Sequence, residues 1–337
     1  MKAGVVGASG YAGVELLRLC AAHPELEVAV ATAGTHRGEA VGAHTPSLAV
    51  AYPSLVYEAT GAEALDGLDV VFSALPHGQS QQLVPELLGK VGVIVDLGAD
   101  FRLADAATYR TWYGHDHEAP ELLGSFVYGL PERHRAELAG ATRIAVPGCY
   151  PTAAALALAP LTSAGLIEPD VIVDAASGVS GAGRGAAEHL HFGQVDEDFT
   201  AYGLLDHRHT AEMEQELGAA VLFTPHLAPM VRGILATCYA RPTSPDLDTD
   251  GLLAVLGEVY AGEPFVVVSE RPPSTKATAG SNCVHLSGRV DRRTGRVLVL
   301  AALDNLVKGA AGQAVQCANL ALGLPETTGL PTAGIYP

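Results

Sequence analysis

Apolar and polar positions change rhythm along this chain. The first 147 residues carry short, nearly unbroken apolar runs at 3–7, 26–31, 69–74, 92–97 and 143–146. Helix-like stretches lie between them, the clearest at residues 14–22. Continuous apolar strands alternating with helices predict βαβ units and a doubly wound parallel sheet. A helix rich in Ala and Leu follows Cys149. Beyond it the strand-like runs are 171–175, 221–225, 233–240, 265–269, 283–290 and 297–303, several joined by short turns such as Arg292-Arg293-Thr294-Gly295. This second region predicts a mixed or antiparallel sheet, so an α+β domain follows the α/β one. Residues 304–322 read as a long Ala-rich helix.

The first strand runs into Gly7-Ala8-Ser9-Gly10-Tyr11-Ala12-Gly13, which opens the first helix. This G-x-x-G-x-x-G spacing is a variant of the dinucleotide fingerprint. Its glycines admit a pyrophosphate against the backbone, and the helix N-terminus favours the anion. Gly7, Ser9, Gly10, Tyr11, Ala12 and Gly13 are therefore candidate cofactor contacts. The second strand ends in Ala31-Thr32-Ala33-Gly34-Thr35-His36-Arg37 and carries no acid for ribose hydroxyls. Thr35 and Arg37 instead suit a 2′-phosphate, which favours NADP over NAD. Ser73 and Pro76, in Ser73-Ala74-Leu75-Pro76-His77-Gly78, end a later parallel strand and are expected to line the same crevice.

Cys149 sits at a Pro147-Gly148 turn directly before a helix. The turn presents the side chain, while free N–H groups and the positive end of the dipole favour thiolate over thiol. That makes a nucleophile, against the alternative of a small buried core residue. His207 and His209, in Asp206-His207-Arg208-His209-Thr210, are the candidate acid–base partners. Glu212, three residues beyond His209, shares its helix face and is expected to orient it. The pairs His207/His209 and His189/His191 lack third and fourth ligands at recognisable spacing, so no metal is expected. Gly178, Ser180, Gly181 and Arg184, in Ser177–Arg184, form a candidate anion loop after a strand. Arg102 and Arg232 are candidate clamps for carboxylate or phosphate, with surface ion pairs as the plain alternative.

The chain has 337 residues, 48% of them hydrophobic and 17% charged, enough for about two domains with sizeable cores. A net charge of −17 argues against nucleic acid or an anionic membrane as partner, though not against small anions. Five scattered cysteines without CxxC pairing suggest reduced thiols in a cytoplasm. A strand begins almost at once, leaving no expected signal peptide, and no apolar run reaches membrane-spanning length.

Taken together, these segments resemble the N-acetyl-γ-glutamyl-phosphate reductase family. The resemblance covers essentially the whole chain: GASGYAG at 7–13, ALPHG at 74–78, DLGADFRL at 96–103, YGLPE at 128–132 and VPGCYPT at 146–152. It continues through SGVSGAGR at 177–184, HRHTAEM at 207–213, TPHLAPMVRG at 224–233 and DNLVKGAAGQAVQ at 304–316. The family has Pro-Glu-Ile or similar after HRHT, whereas this chain has Ala211-Glu212-Met213. The resemblance implies Cys149 as nucleophile, His207 and His209 as active-site histidines without ranking them, and Asn305 beside the cofactor. It also implies a Rossmann-type NADP-binding domain of residues 1–147 and about 305–337, with a catalytic and dimerisation domain over 148–304. The implied reaction is NADPH-dependent reduction of an acyl phosphate to a semialdehyde and phosphate in arginine biosynthesis, by a homodimer or homotetramer. Aspartate-semialdehyde dehydrogenase and a carrier-linked aminoadipyl-phosphate reductase share this chemistry. An NADP-binding regulator would not need the Cys149 turn, and a cysteine hydrolase would not need the cofactor loop.

Overall fold

The computed structural model describes residues 1–336. The chain forms two compact units: Met1–Pro147 with Ala310–Leu330, and Gly148–Gly309 with the residues that follow Leu330.

The first unit is built on seven parallel strands: β1 (Lys2–Val6), β2 (Glu27–Thr32), β3 (Tyr57–Glu58), β4 (Val70–Ser73), β5 (Val93–Asp96), β6 (Val127–Tyr128) and β7 (Arg143–Ala145). Their spatial order is β3-β2-β1-β4-β5-β7-β6. The order reverses between β1 and β4, so the carboxyl end of β1 is a topological switch point, where open α/β sheets bind ligands. The central strands are buried along nearly their whole length because neighbours pair on both edges and helices cover them. A core of Val6, Val30, Leu65, Val71, Leu83, Leu87, Ile94, Phe101 and Leu123 packs there. The first helix spans Tyr11–Ala21, starting three residues before the expected 14, because Gly10 and not Gly13 is its N-cap.

The second unit has seven strands in a mixed sheet: β8 (Asp170–Gly178), β9 (Thr200–Ala201), β10 (Ala220–Ala228), β11 (Ile234–Ala240), β12 (Val266–Val268), β13 (Val284–Asp291) and β14 (Arg296–Leu303). Their order is β12-β13-β14-β11-β8-β10-β9. The β12–β13 and β8–β10 pairs are parallel, and the others are antiparallel. Helix Cys149–Ser163 packs on β11 and β14 and against helices His209–Leu217 and Thr249–Val259. Every residue from Tyr150 to Leu161 is buried. A helix apolar on all sides is the kind that a core can surround, and its alanines allow close approach.

Two expectations change. The strand expected at 171–175 continues to Gly178, because β10 pairs with it residue by residue as far as Ala228. The helix expected at 304–322 starts later. The Asp304 carboxylate accepts the N–H groups of Leu306 and Val307, a π-helical turn spans Val307–Ala311, and the α-helix is Gly312–Ala321. A π turn leaves no signature in a 3.6-residue pattern. No described helix is long and apolar enough to cross a membrane.

Two buried carboxylates at the end of β5 titrate in opposite directions. Asp100 is buried, which pushes its pKa up, but bonds from His77 and from the Gly78 and Gln81 N–H groups outweigh burial and lower it. Asp96 is pushed up to about 6, chiefly by burial, although Ser80 Oγ and the Gly98 N–H donate to it. Its folded pKa thus exceeds the unfolded carboxylate value. The fold binds the proton more tightly, and stability attributable to Asp96 falls as pH rises between about 4 and 6, by about 3 kcal/mol. Asp96→Asn keeps the acceptor without the charge. Thermal melts of both proteins across that window are expected to show the variant gaining on the parent as pH rises. A constant difference would show that Asp96 does not carry this term.

Candidate active site

In the second unit, Cys149 is the first residue of its helix and is only partly covered, unlike the rest of that turn. Gly148 is the N-cap, with φ −66° and ψ 156° and no side-chain cap. Its conformation suits any residue, so the need for glycine lies in space. A Cβ on Gly148 would collide with the His209 ring. Gly309 is constrained likewise, since a Cβ there would lie 2.7 Å from the Cys149 Cβ. The Cys149 corner is thus built by two glycines. Gly309 had no local signal in the sequence, because only the tertiary approach reveals it.

Glu212 completes the corner. Its side chain is fully buried, and Oε2 accepts the Gly148 N–H at 2.9 Å. Oε1 lies 3.8 Å from His209 Nε2. His209 is the first residue of helix His209–Leu217, and Glu212 lies in its first turn, where the dipole favours a negative charge. The carboxylate therefore faces both the residue before the thiol and the His209 ring packed against that residue.

The two histidines sit in different environments. His207 Nδ1 accepts the His209 backbone N–H at 3.2 Å, which leaves its proton on Nε2. Its ring lies edge-on to Tyr150, Tyr202 and Phe223 at centroid distances of 5.9, 5.5 and 5.2 Å. Burial pushes its pKa down to about 4, with Arg208 adding to the effect and Asp206 opposing it. His207 is therefore neutral at physiological pH. Tyr150 donates to the His226 carbonyl and accepts from Tyr202, and burial raises both phenols. These aromatic neighbours escaped the sequence reading, since Tyr150 and Phe223 are far from the histidines along the chain and Tyr202 lies outside their local motif.

The start of the candidate anion loop is braced against a neighbouring turn. Gly178–Ala182 turns through a 3₁₀ helix and is zipped to the 229–233 turn by Val179 N–H to Met230 O and Ser180 N–H to Val231 O. A Cβ on Gly178 would meet the Val231 backbone at 2.7 Å. Asn305 is buried: its Nδ2 donates to Ser180 Oγ at 3.0 Å and its Oδ1 accepts the Gly233 N–H at 2.7 Å. Asn305 and Ser180 thus lock two loops to each other. Gly181 and Arg184 are exposed. Arg232 lies 3.6 Å from buried Asp304, so its guanidinium is already partnered.

In the first unit, Gly7 has φ +72°, and a Cβ there would lie 2.5 Å from the Ala74 carbonyl oxygen. A Cβ on Gly13 would clash with Gly7 and Ala8. Both glycines are explained by strand–turn–helix packing. A Cβ on Gly10 would meet only ordinary contact, at 3.5 Å. Its smallness leaves room at a helix N-terminus with no side-chain cap and no acid in the first turn, beside Ser9, Tyr11 and Ala12. That surface fits a pyrophosphate. Thr35, Arg37 and Pro76 are exposed. Arg37 lines a cleft of about 720 Å³ with Tyr57, Glu58, Thr60 and Lys90. Ser73 is buried against Ser80 Oγ at 3.2 Å, which in turn donates to Asp96, so its hydroxyl is used inside the sheet and not in a crevice. Arg102 donates to the Leu97 carbonyl at 2.8 Å and braces its own loop.

Comparison with known proteins matches residues 2–141 to the semialdehyde dehydrogenase NAD binding domain and residues 149–305 to the semialdehyde dehydrogenase dimerisation domain. N-acetyl-γ-glutamyl-phosphate reductases of Symbiobacterium thermophilum and Acidothermus cellulolyticus are each 51% identical over all of this chain and 99% of their own. That of Streptomyces coelicolor is 49% identical with the same coverage. Among solved structures, aspartate semialdehyde dehydrogenase II of Vibrio cholerae superposes with a TM-score of 0.70 at 17% identity, covering 96% of this chain and 98% of that one. The aspartate semialdehyde dehydrogenase of Candida albicans, solved with NADP, gives 0.69 at 16% with the same coverage. At such identities the likeness is one of fold.

Cys20, Cys238, Cys283 and Cys317 are at most 7% exposed. Limited iodoacetamide labelling read by peptide mass spectrometry is expected to reach Cys149 before all four. Gly309→Ala, by displacing the Cys149 backbone in a close-packed interior, should slow that labelling roughly tenfold. Unchanged labelling in the variant would mean the corner has slack.

Proposed function

Because the chain belongs to the N-acetyl-γ-glutamyl-phosphate reductase family of the semialdehyde dehydrogenases, we propose that it reduces N-acetyl-γ-glutamyl phosphate to N-acetylglutamate semialdehyde and phosphate, using NADPH, in arginine biosynthesis. The observation that carries this reading is the Cys149 corner, in which a thiol opens a buried helix one residue after the Gly148 against which His209 packs, in a chain matched over its whole length to reductases of that name.

The residues then take the following roles. The Cys149 sulfur attacks the acyl carbon, the C–O bond to phosphate breaks, and a thioester forms. A bound nicotinamide supplies the hydride for the thioester carbon. N–H groups at the start of the Cys149 helix stabilise the resulting oxyanion. His209 lends a proton to that oxygen and takes it back as the C=O bond re-forms, so that the C–S bond breaks, the aldehyde leaves and the thiolate is regenerated. His207, held neutral by its aromatic surroundings, shapes the pocket, and Glu212 positions His209 and Gly148. Gly7, Gly10 and Gly13 support the pyrophosphate. Arg37, with Thr35 nearby and no acid at the end of β2, supports NADP over NAD.

A homo-oligomer is supported by one face of the mixed sheet. On the covered face, Val299, Cys238, Val173 and Phe223 form a buried row under the Cys149 helix. On the opposite face, Leu298, Tyr239, Ile172 and Leu222 align in register and remain partly exposed, as do Leu300 and Leu235. A second copy of this chain fits that apolar face. Five free cysteines suit a reducing cytoplasm.

The deciding assay follows NADP reduction with N-acetylglutamate semialdehyde plus phosphate, beside aspartate semialdehyde. The acetylated aldehyde is expected to win by at least about tenfold in kcat/KM, because a site built for a neutral acetylated amine needs no partner for an ammonium group. A preference for the shorter aldehyde would promote aspartate-semialdehyde dehydrogenase, whose fold this chain shares. Cys149→Ser should abolish turnover while NADP still binds. His209→Asn should lose about 10²–10⁴-fold in kcat and flatten one limb of the pH profile. His207→Asn should act mainly on KM, and an equal kcat loss there would unseat the ranking. For the oligomer, Leu300→Asp is expected to shift the light-scattering mass to one chain. An unchanged mass would place the interface elsewhere.

A further inference from the structure

The segment after β2 gathers side chains that the proposed reaction does not use. His36, Glu39 and His44 bring three ligand atoms within 4.8 Å of one another. His36 Nδ1 lies 3.3 Å from Glu39 Oε2, and His44 Nδ1 lies 3.9 Å from the same oxygen. The two imidazole rings approach to 3.9 Å between centroids at a tilt of 44°. Metal bonds of about 2.0–2.1 Å set tetrahedral ligand atoms about 3.3 Å apart, so this cluster needs only a small contraction.

The scaffold holds these residues from both sides. Gly38 N–H donates to Tyr57 O, Tyr57 N–H to Glu39 O, and Val41 N–H to Leu55 O. Residues 38–41 are therefore zipped to residues 55–57. His44 ends the helical turn Val41–His44 and packs edge-on against buried Tyr57 at 5.8 Å. Its side chain is only 10% exposed, whereas Glu39 is 53% exposed, so the cluster is open toward solvent on the carboxylate side. Neither histidine nor Glu39 has a part in the reaction proposed above.

We propose that His36, Glu39 and His44 form a three-ligand site for a divalent cation of the zinc class, with the fourth position open to water. Two imidazoles and one carboxylate match the preference of zinc and cobalt for nitrogen and oxygen donors. The expectation of no metal rested on the pairs His207/His209 and His189/His191, and it did not reach these residues. Their separations of three and five positions match no common motif, and only the fold brings them together. Ligation would also pin the segment that carries Arg37, a consequence that matters only if Arg37 holds the cofactor as proposed.

The test is metal uptake by the full chain, and it does not depend on the assigned reaction. Cys149→Ser serves as parent, since a thiol beside a histidine would itself take a soft cation. Titration with Co²⁺ is followed by its visible d–d absorption and by equilibrium dialysis. The parent is expected to bind one equivalent with the strong absorption of a tetrahedral site. Adding His44→Asn or His36→Asn should weaken binding at least about tenfold. Glu39→Gln, on a half-exposed side chain, should do the same with melting temperature unchanged, which guards against loss through misfolding. A parent that takes up no Co²⁺, or variants that bind as tightly as the parent, would overturn the proposal.

Discussion

A single buried carboxylate holds the thiol corner together. Glu212 is removed from water, where a charge is costly unless hydrogen bonds replace its hydration. One replacement comes from the Gly148 N–H, the group that precedes the Cys149 helix, and the His209 ring faces the other oxygen. Satisfying this charge therefore fixes the N-cap, the histidine and the first turn relative to one another. The glycine at 148 follows from that constraint, because the ring fixed by Glu212 occupies the space of a Cβ. Gly309 closes the same corner from the other side.

What the sequence made legible was whatever depends on near neighbours. A Pro-Gly turn before an Ala-rich run places Cys149 at a helix start, since the turn and the helix are both local. The Gly7–Gly13 turn was visible for the same reason, and the alternation of apolar runs separated a parallel sheet from a mixed one. Side chains whose partners lie far along the chain were not legible. Ser73 looks like a crevice residue until Ser80 turns its hydroxyl inward. Asn305 looks like a ligand contact until Ser180 and Gly233 occupy its amide. Arg232 looks like an anion clamp until Asp304 is found beside it. These partners have one physical root: polar groups in a folded chain find internal partners, and composition cannot say which.

The two histidines make the complementary point. They are two residues apart on a local motif, and nothing in that motif ranks them. Their surroundings separate them because one is enclosed by aromatic rings and the other lies against a carboxylate. An aromatic enclosure disfavours imidazolium, so His207 stays neutral at physiological pH and has no proton to spare beyond the one on Nε2. His209 instead stands with Nε2 3.8 Å from the Glu212 carboxylate and with its ring against Gly148. Similar side chains diverge in role through environment, as paired titratable groups in active sites commonly do. The two are also linked, since the His209 backbone N–H is held by His207 Nδ1. His207 thus fixes where the helix bearing His209 begins, and so where its ring can stand.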